Sequence, residues 1–216
     1  RQARPYAEVP GFVAQLRQRS AGNPALLAFE LLILTACRTN EVLLAAWDEI
    51  DIGEATWTIP AVRMKAHETH IVPLSRRAVA ILAEMKALTG DTGLVFPGRQ
   101  PDKPLSNMVF LMTLRRMKLA ITAHGFRSSF RDWAAEETAF PNFVVEKALA
   151  HAIENKVEAA YRRGDLLKKR RELMGTWAAY CEGAPTKPTA EPVNLQPKLN
   201  LTGGVPHDDD AHPAVR

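Results

Sequence analysis

"AHGFRSSFRDWAAE", residues 123–136, sets His124 and Arg127 at the mouth of a segment whose apolar residues recur at helical spacing. Further on, "LAHAIENKVEAAYRRGD" (149–165) supplies a second histidine, His151, and then a tyrosine, Tyr161. Histidine, arginine, histidine and tyrosine in this order, with no nucleotide-binding loop, ask for a chemistry that uses side chains alone. The fold has to bring them together.

Outward from that stretch, helical periods dominate. "VPGFVAQLRQRS" and "NPALLAFELLILTAC" both repeat at helical spacing, the second opened by Asn23 as N-cap with Pro24 in the first turn. "SRRAVAILAEMKAL", "SNMVFLMTLRRM", "FRSSFRDWAAEE", "NFVVEKALA", "KVEAAYRR" and "LLKKRRELMGTWAAYCE" follow the same period. Between them, "EIDIGEATWTIP" predicts a hairpin around Gly53, and "THIVPL" a third strand stopped by Pro73. The expected fold class is mainly α with a small antiparallel β-sheet (α+β). The folded body is expected over 1–181. The Pro-rich, polar stretch 182–216 lacks an amphipathic period and is expected to be a disordered tail. The last helix of the body, 166–181, is expected to dock in cis in the free domain and on a neighbouring copy in an assembly.

Composition narrows the function classes. The richest apolar run, "ALLAFELLILTAC", is shorter than a membrane span and holds Glu30, so it reads as a buried helix. The opening "RQARPYAEVP" has no apolar signal core. Cys37 and Cys181 stand far apart in unlike settings, which predicts neither a disulfide framework nor a zinc pattern and suits a reducing cytoplasm. The chain carries a net +4, but the tail holds three basic and five acidic residues, so 1–181 alone carries +6. That suits a polyanionic partner, although basic surfaces are often only solvated.

Taken singly, the polar candidates have plain explanations. Arg38 in "TACRTNEVL" could pair with Glu41 at a helix end. Lys65 in "VRMKAHETH" could be a solvated turn lysine. His124 could cap a helix, His151 end one, and Tyr161 fill a groove; "YRRGDLLKKRR" could be a solvated basic face. As an ordered set they match the needs of phosphodiester transfer. Negative charge spreads over the non-bridging oxygens, so fixed cationic forks are wanted, and Arg38 and Arg127 supply two. A phenol needs a base, for which either His124 or His151 could serve. The departing oxygen needs a proton, which Lys65 could deliver. No metal or other cofactor is expected; "HETH" (67–70) has an HxxH spacing but lies in the hairpin with no further ligands.

The segments "LTACRTNEVLLAAWDEIDIGEATWTIPAVRMKAHETHIVPLS", "AHGFRSSFRDWAAE" and "LAHAIENKVEAAYRRGDLLKKRRELMGTWAAYC" resemble the catalytic domain of tyrosine recombinases, above all the integrases of phages and genomic islands. The resemblance spans roughly residues 8–181. It implies that Arg38 and Arg127 clamp phosphate, Lys65 is the lysine of the β2–β3 turn, and Glu41 buttresses the first arginine. It implies that His124 opens the His-x-x-Arg box, His151 holds the next position and Tyr161 is the nucleophile. The family usually has glycine where this chain has Ala36. It also usually has N-terminal arm-binding and core-binding regions, which do not fit before residue 8, so the chain is expected to be the catalytic portion. The implied activity is metal- and ATP-independent site-specific recombination of a mobile element through a 3′-phosphotyrosyl link. The implied partners are double-stranded DNA and further copies of the chain, a tetramer on paired sites and a monomer when free, in the bacterial cytoplasm. A type IB topoisomerase shares the constellation. A non-catalytic DNA-binding module, or a helical protein whose basic face binds nothing, are the readings from other classes.

Overall fold

Phe126, Phe130 and Trp133 recur at i, i+4 and i+7 and are all buried, so the helix that carries them must lie across the core. This is α6 (Gly125–Glu137) in the computed structural model, which describes residues 3–151 and 166–184. The other helices are α1 (Val9–Arg19), α2 (Pro24–Thr35), α3 (Thr39–Leu43), α4 (Arg76–Thr89), α5 (Val109–Arg116), α7 (Asn142–Ala148) and α8 (Leu167–Cys181). Strands β1 (Ile50–Asp51), β2 (Thr56–Ile59) and β3 (His70–Pro73) form one antiparallel sheet in that order. The expected class, mainly helical with a small antiparallel sheet, is the observed one. "KVEAAYRR" and the tail beyond residue 184 lie outside the described residues.

The central helix is α2. Asn23 caps it as expected, its side chain accepting from the Ala25 N–H at 3.0 Å, with Pro24 in the first turn. From Leu27 to Thr35 every residue is buried, which explains why this helix shows almost no amphipathic contrast. Its Phe29 meets Phe12 of α1, Phe110 of α5 and Phe126 of α6, with ring centroids 4.8–5.7 Å apart. Burying a phenylalanine contributes on the order of 2–3 kcal/mol, so this aromatic cluster fixes where α6 begins.

The far end of α6 is held by α8. Trp133 packs on Trp177 at 4.9 Å between centroids, and the Trp177 indole donates to the Ile33 carbonyl of α2 at 2.8 Å. Helix α8 therefore packs on its own chain in this structure. Its first turn brings a surprise. Arg170, which reads from sequence as part of a basic face, is fully buried and donates to the Ile71 carbonyl of β3 at 2.5 Å. Arg171 donates to the Ala55 and Glu54 carbonyls of the β1–β2 turn at 3.2 and 3.0 Å. The basic run is thus a clasp between α8 and the sheet.

In the sheet, Trp57 pairs with Val72 and Ile59 with His70, and these four side chains are buried. The alternation along β2 that predicts a strand is real, and Asp51 and Thr58 face out. His67 is exposed in the β2–β3 turn while His70 is buried in β3, so the HxxH spacing does not act as a unit.

Candidate active site

Three helix ends converge to form the site. Helix α2 stops at Ala36, whose backbone is left-handed (φ 51°, ψ 26°), the conformation in which a helix usually ends on glycine. The turn aims Arg38 to start α3 as its N-cap. One Glu41 oxygen accepts from the Arg38 backbone N–H at 2.7 Å, and the other pairs with Arg38 Nη1 at 2.7 Å. Glu41 is nearly buried, so it fixes the arginine at backbone and side chain at once. The Arg38–Glu41 pairing is present, and it uses only one of the guanidinium's five donors among the described residues.

Helix α7 ends in the same way. Ala150 is left-handed (φ 49°), its N–H donates to the Lys147 carbonyl at 3.1 Å, and the His151 N–H donates to the Glu146 carbonyl at 3.0 Å. This paired closure of a helix end places His151 just past the last turn.

Arg127 joins the two ends. It lies in the first turn of α6, next to Phe126, and is only 5% exposed. Nη1 donates to the Ala36 carbonyl, Nη2 to the Leu149 carbonyl at 2.7 Å, and Nη2 also lies 3.2 Å from His151 Nε2. The two carbonyls belong to the C-terminal ends of α2 and α7, where helix dipoles favour a cation. No carboxylate forms an ion pair with Arg127 among the described residues. Burial, then the like charge of Arg38, pushes the Arg127 pKa below its ordinary range, while Cys37, Glu41 and Glu146 act more weakly in the opposite direction. Two guanidiniums thus lie close enough to repel, and among the described residues no carboxylate pairs with Arg127 to offset this. An anion would relieve both.

The remaining residues are placed as follows. His124 is the exposed N-cap of α6, and its carbonyl accepts from the Arg127 N–H at 3.1 Å. Lys65 is exposed in the turn between β2 and β3, as expected, and pairs with none of the described residues. Tyr161 lies outside the described residues. The structure therefore joins Arg38, Glu41, Arg127 and His151 in one cluster.

Two polar residues at its edge escape sequence reasoning. Glu146, one helical turn before His151, accepts from its Nδ1 at 2.7 Å. His70 is buried beneath the cluster, where burial and then the charge of Arg170 push its pKa down to about 4 while its ring bonds the Ala148 carbonyl. Only the five-residue offset between Glu146 and His151 could have pointed to the first. Nothing local marks the second.

Comparison with known proteins gives this cluster a context. Residues 6–166 match the model of the phage integrase family. The chain is 38% identical over 180 residues to the prophage integrase IntA of Escherichia coli K12, covering 82% of this chain and 43% of the relative. It is 39% identical to the prophage integrase IntZ of the same strain, over 81% of this chain and 43% of the relative. With the integrase of enterobacteria phage P4 it shares 34% identity over 83% of this chain and 45% of the relative. The chain thus spans less than half the length of these relatives. Among solved structures, the integrase of mycobacterium phage Brujita shares the fold, with a TM-score of 0.56 at 21% identity, over 70% of this chain and 50% of that one. The chain belongs to the phage integrase family.

Proposed function

We propose that this chain is the catalytic portion of a site-specific DNA recombinase, residues 1–181 forming the catalytic domain. Arg38 and Arg127 hold the scissile phosphate of a duplex between them. The Tyr161 hydroxyl attacks phosphorus, a bond from its oxygen to phosphorus forms, and the bond to the 5′-oxygen breaks. The phenol proton passes to a histidine, and the 5′-oxygen takes a proton from Lys65. The 3′-phosphotyrosyl link conserves the bond energy, so a second strand can be joined without ATP. Glu41 holds Arg38 in place throughout, and His124 lines the entrance at the N-cap of α6.

The observation that supports this reading most is the state of Arg127. A buried guanidinium that donates to two helix-end carbonyls, feels the like charge of a second arginine and has no ion-paired carboxylate among the described residues is suited to an anion. A phosphodiester has the charge and the paired oxygens that such forks bind. Duplex DNA and further copies of the chain on paired sites are the partners of this reading, the free chain being a monomer.

The test is incubation with a nicked suicide duplex carrying the cognate core site, scoring covalent protein–DNA adduct. Wild type is expected to accumulate adduct. Tyr161→Phe is expected to form none while binding the same duplex, since one oxygen is removed and no phosphate contact. Adduct at wild-type level in the Phe variant would remove Tyr161 from its role.

A further inference from the structure

Lys65 sits in a turn whose stem is tethered to the arginine site. Val62 and Lys65 are exposed, Met64 between them is buried, and the Arg63 side chain turns inward. Arg63 Nη2 donates to Glu49 Oε2, and Nη1 to the Glu41 carbonyl at 3.3 Å. The same Glu49 oxygen accepts from the Trp57 indole of β2 at 3.0 Å and from the Ala46 N–H at 3.4 Å, so the carboxylate is not free to swing with the turn. Glu41 is the residue whose carboxylate holds Arg38. Helix α3 thus grips the first arginine through a side chain and the lysine turn through a carbonyl. Beyond Arg63 the chain is wound by its own backbone. The Arg63, Met64 and His67 N–H groups donate to the Pro60, Ala61 and Met64 carbonyls, each at 3.0 Å. His67 closes the turn in a left-handed conformation (φ 56°). Plain stabilisation accounts poorly for this arginine. Its Nε is buried with no partner among the described residues, and that cost offsets what the ion pair contributes.

We infer that Arg63 is a positioning residue that holds the Lys65 turn in register with Arg38, so that the ammonium meets the departing 5′-oxygen of the phosphate the arginine grips. This rests on the phosphoryl-transfer reading above. As the bond from phosphorus to the 5′-oxygen breaks, its electron pair goes to that oxygen and a proton passes to it from Lys65 Nζ, leaving a neutral amine. A lysine is a compact charge on a long flexible stem, so the side chain alone does not aim the proton; the backbone beneath it must. Arg63, engaged with Glu49 and Glu41, acts through Lys65 two residues on.

A suicide duplex with sulfur in place of the scissile 5′-oxygen separates this role from packing. Thiols ionise near a pH of about 8.5, so a thiolate leaves without needing a proton, and a badly aimed donor costs nothing on that substrate. Adduct formation by Arg63→Met is expected to fall about tenfold on the ordinary duplex, part of the roughly 10²–10⁴-fold that a placed proton donor contributes. On the sulfur duplex it is expected to match wild type. Arg63→Lys, which can keep Glu49 but not reach Glu41 as well, is expected to fall between, and it carries the test if the Met variant is too unstable to assay. Amide hydrogen exchange at Met64 and His67 is expected to quicken about tenfold in the Met variant and less in the Lys variant, with α2 unchanged. An equal deficit on both duplexes would overturn the inference, because Arg63 would then act on Arg38 or on the fold. So would wild-type activity on the ordinary duplex, or unchanged exchange in the turn. Lys65→Ala tests the underlying reading by itself. A deficit there that sulfur does not repair would strike Lys65 as proton donor, with hydrogen exchange alone deciding whether Arg63 holds the turn.

Discussion

Glu30 and Arg127 are both buried charges in one core, and they are balanced in opposite ways. Glu30, fully buried on α2, accepts from Arg17 Nε at 2.6 Å and from Arg77 Nε and Nη2 at 2.8 and 2.7 Å. Arg17 also reaches Glu182, just past α8, at 3.1 Å. Every strong donor there meets a carboxylate, and the cluster ties together α1, α2, α4 and the end of α8. Arg127 meets two carbonyls and an imidazole among the described residues, and feels the like charge of Arg38. The first arrangement is finished within the chain. The second has no carboxylate partner among the described residues, and under the proposed function that difference separates a structural charge from one kept for a substrate.

Stability measurements can break this comparison. The largest effect is expected from Glu30→Ala, which strands the Arg77 guanidinium over an apolar core and leaves Arg17 only Glu182. Breaking a buried pair costs about 3–5 kcal/mol, and the lower end, about 3 kcal/mol, applies because both arginines reach solvent. Urea unfolding should show this loss. A change below about 1 kcal/mol would mean that the cluster is not the closed structural unit described here.

The next effect is a pH dependence. His70 is neutral in the fold with its pKa near 4, against an ordinary value of about 6.5 once unfolded. The unfolded chain therefore binds a proton first as pH falls. Stability from this group is intact above about pH 6.5 and drains away between there and about pH 4, by up to roughly 3 kcal/mol. His70→Gln should flatten the unfolding curve across that window, and an unchanged slope would put the imidazole in a wetter setting.

The smallest effect concerns the turn that delivers Arg38. Ala36 in a left-handed conformation costs about 1 kcal/mol relative to glycine, so Ala36→Gly should raise stability by about that amount. A loss in the thermal or urea midpoint would show that the Ala36 methyl packs for more than its backbone strain costs.

These residues also show what could be read beforehand. Asn23, Pro24 and the apolar periods mark the helices locally, and the hairpin is legible because alternation changes period within a few residues. The order of Arg38, Lys65, His124, Arg127, His151 and Tyr161 points to a chemistry, and the structure clusters the first arginine, the second and His151. Helix α3 was not legible, since five residues carry no period and the turn exists through the Glu41 cap. Arg170 was misleading because basic runs on a helix are usually solvated, and only the docking of α8 on β3 buries it. His70 and Glu146 owe their roles to neighbours on other elements or to a helix end, which no local pattern records.

The open charge of Arg127 is tested most directly by Arg127→Lys on the suicide duplex. Lysine keeps the charge but cannot hold both helix-end carbonyls and present a planar fork to phosphate. Adduct formation is expected to fall on the order of 10²–10³-fold, the scale for losing one oriented donor to a developing oxyanion, while duplex affinity changes far less. Adduct formation at the wild-type rate in the folded Lys variant would contradict the assignment of Arg127 as the phosphate fork.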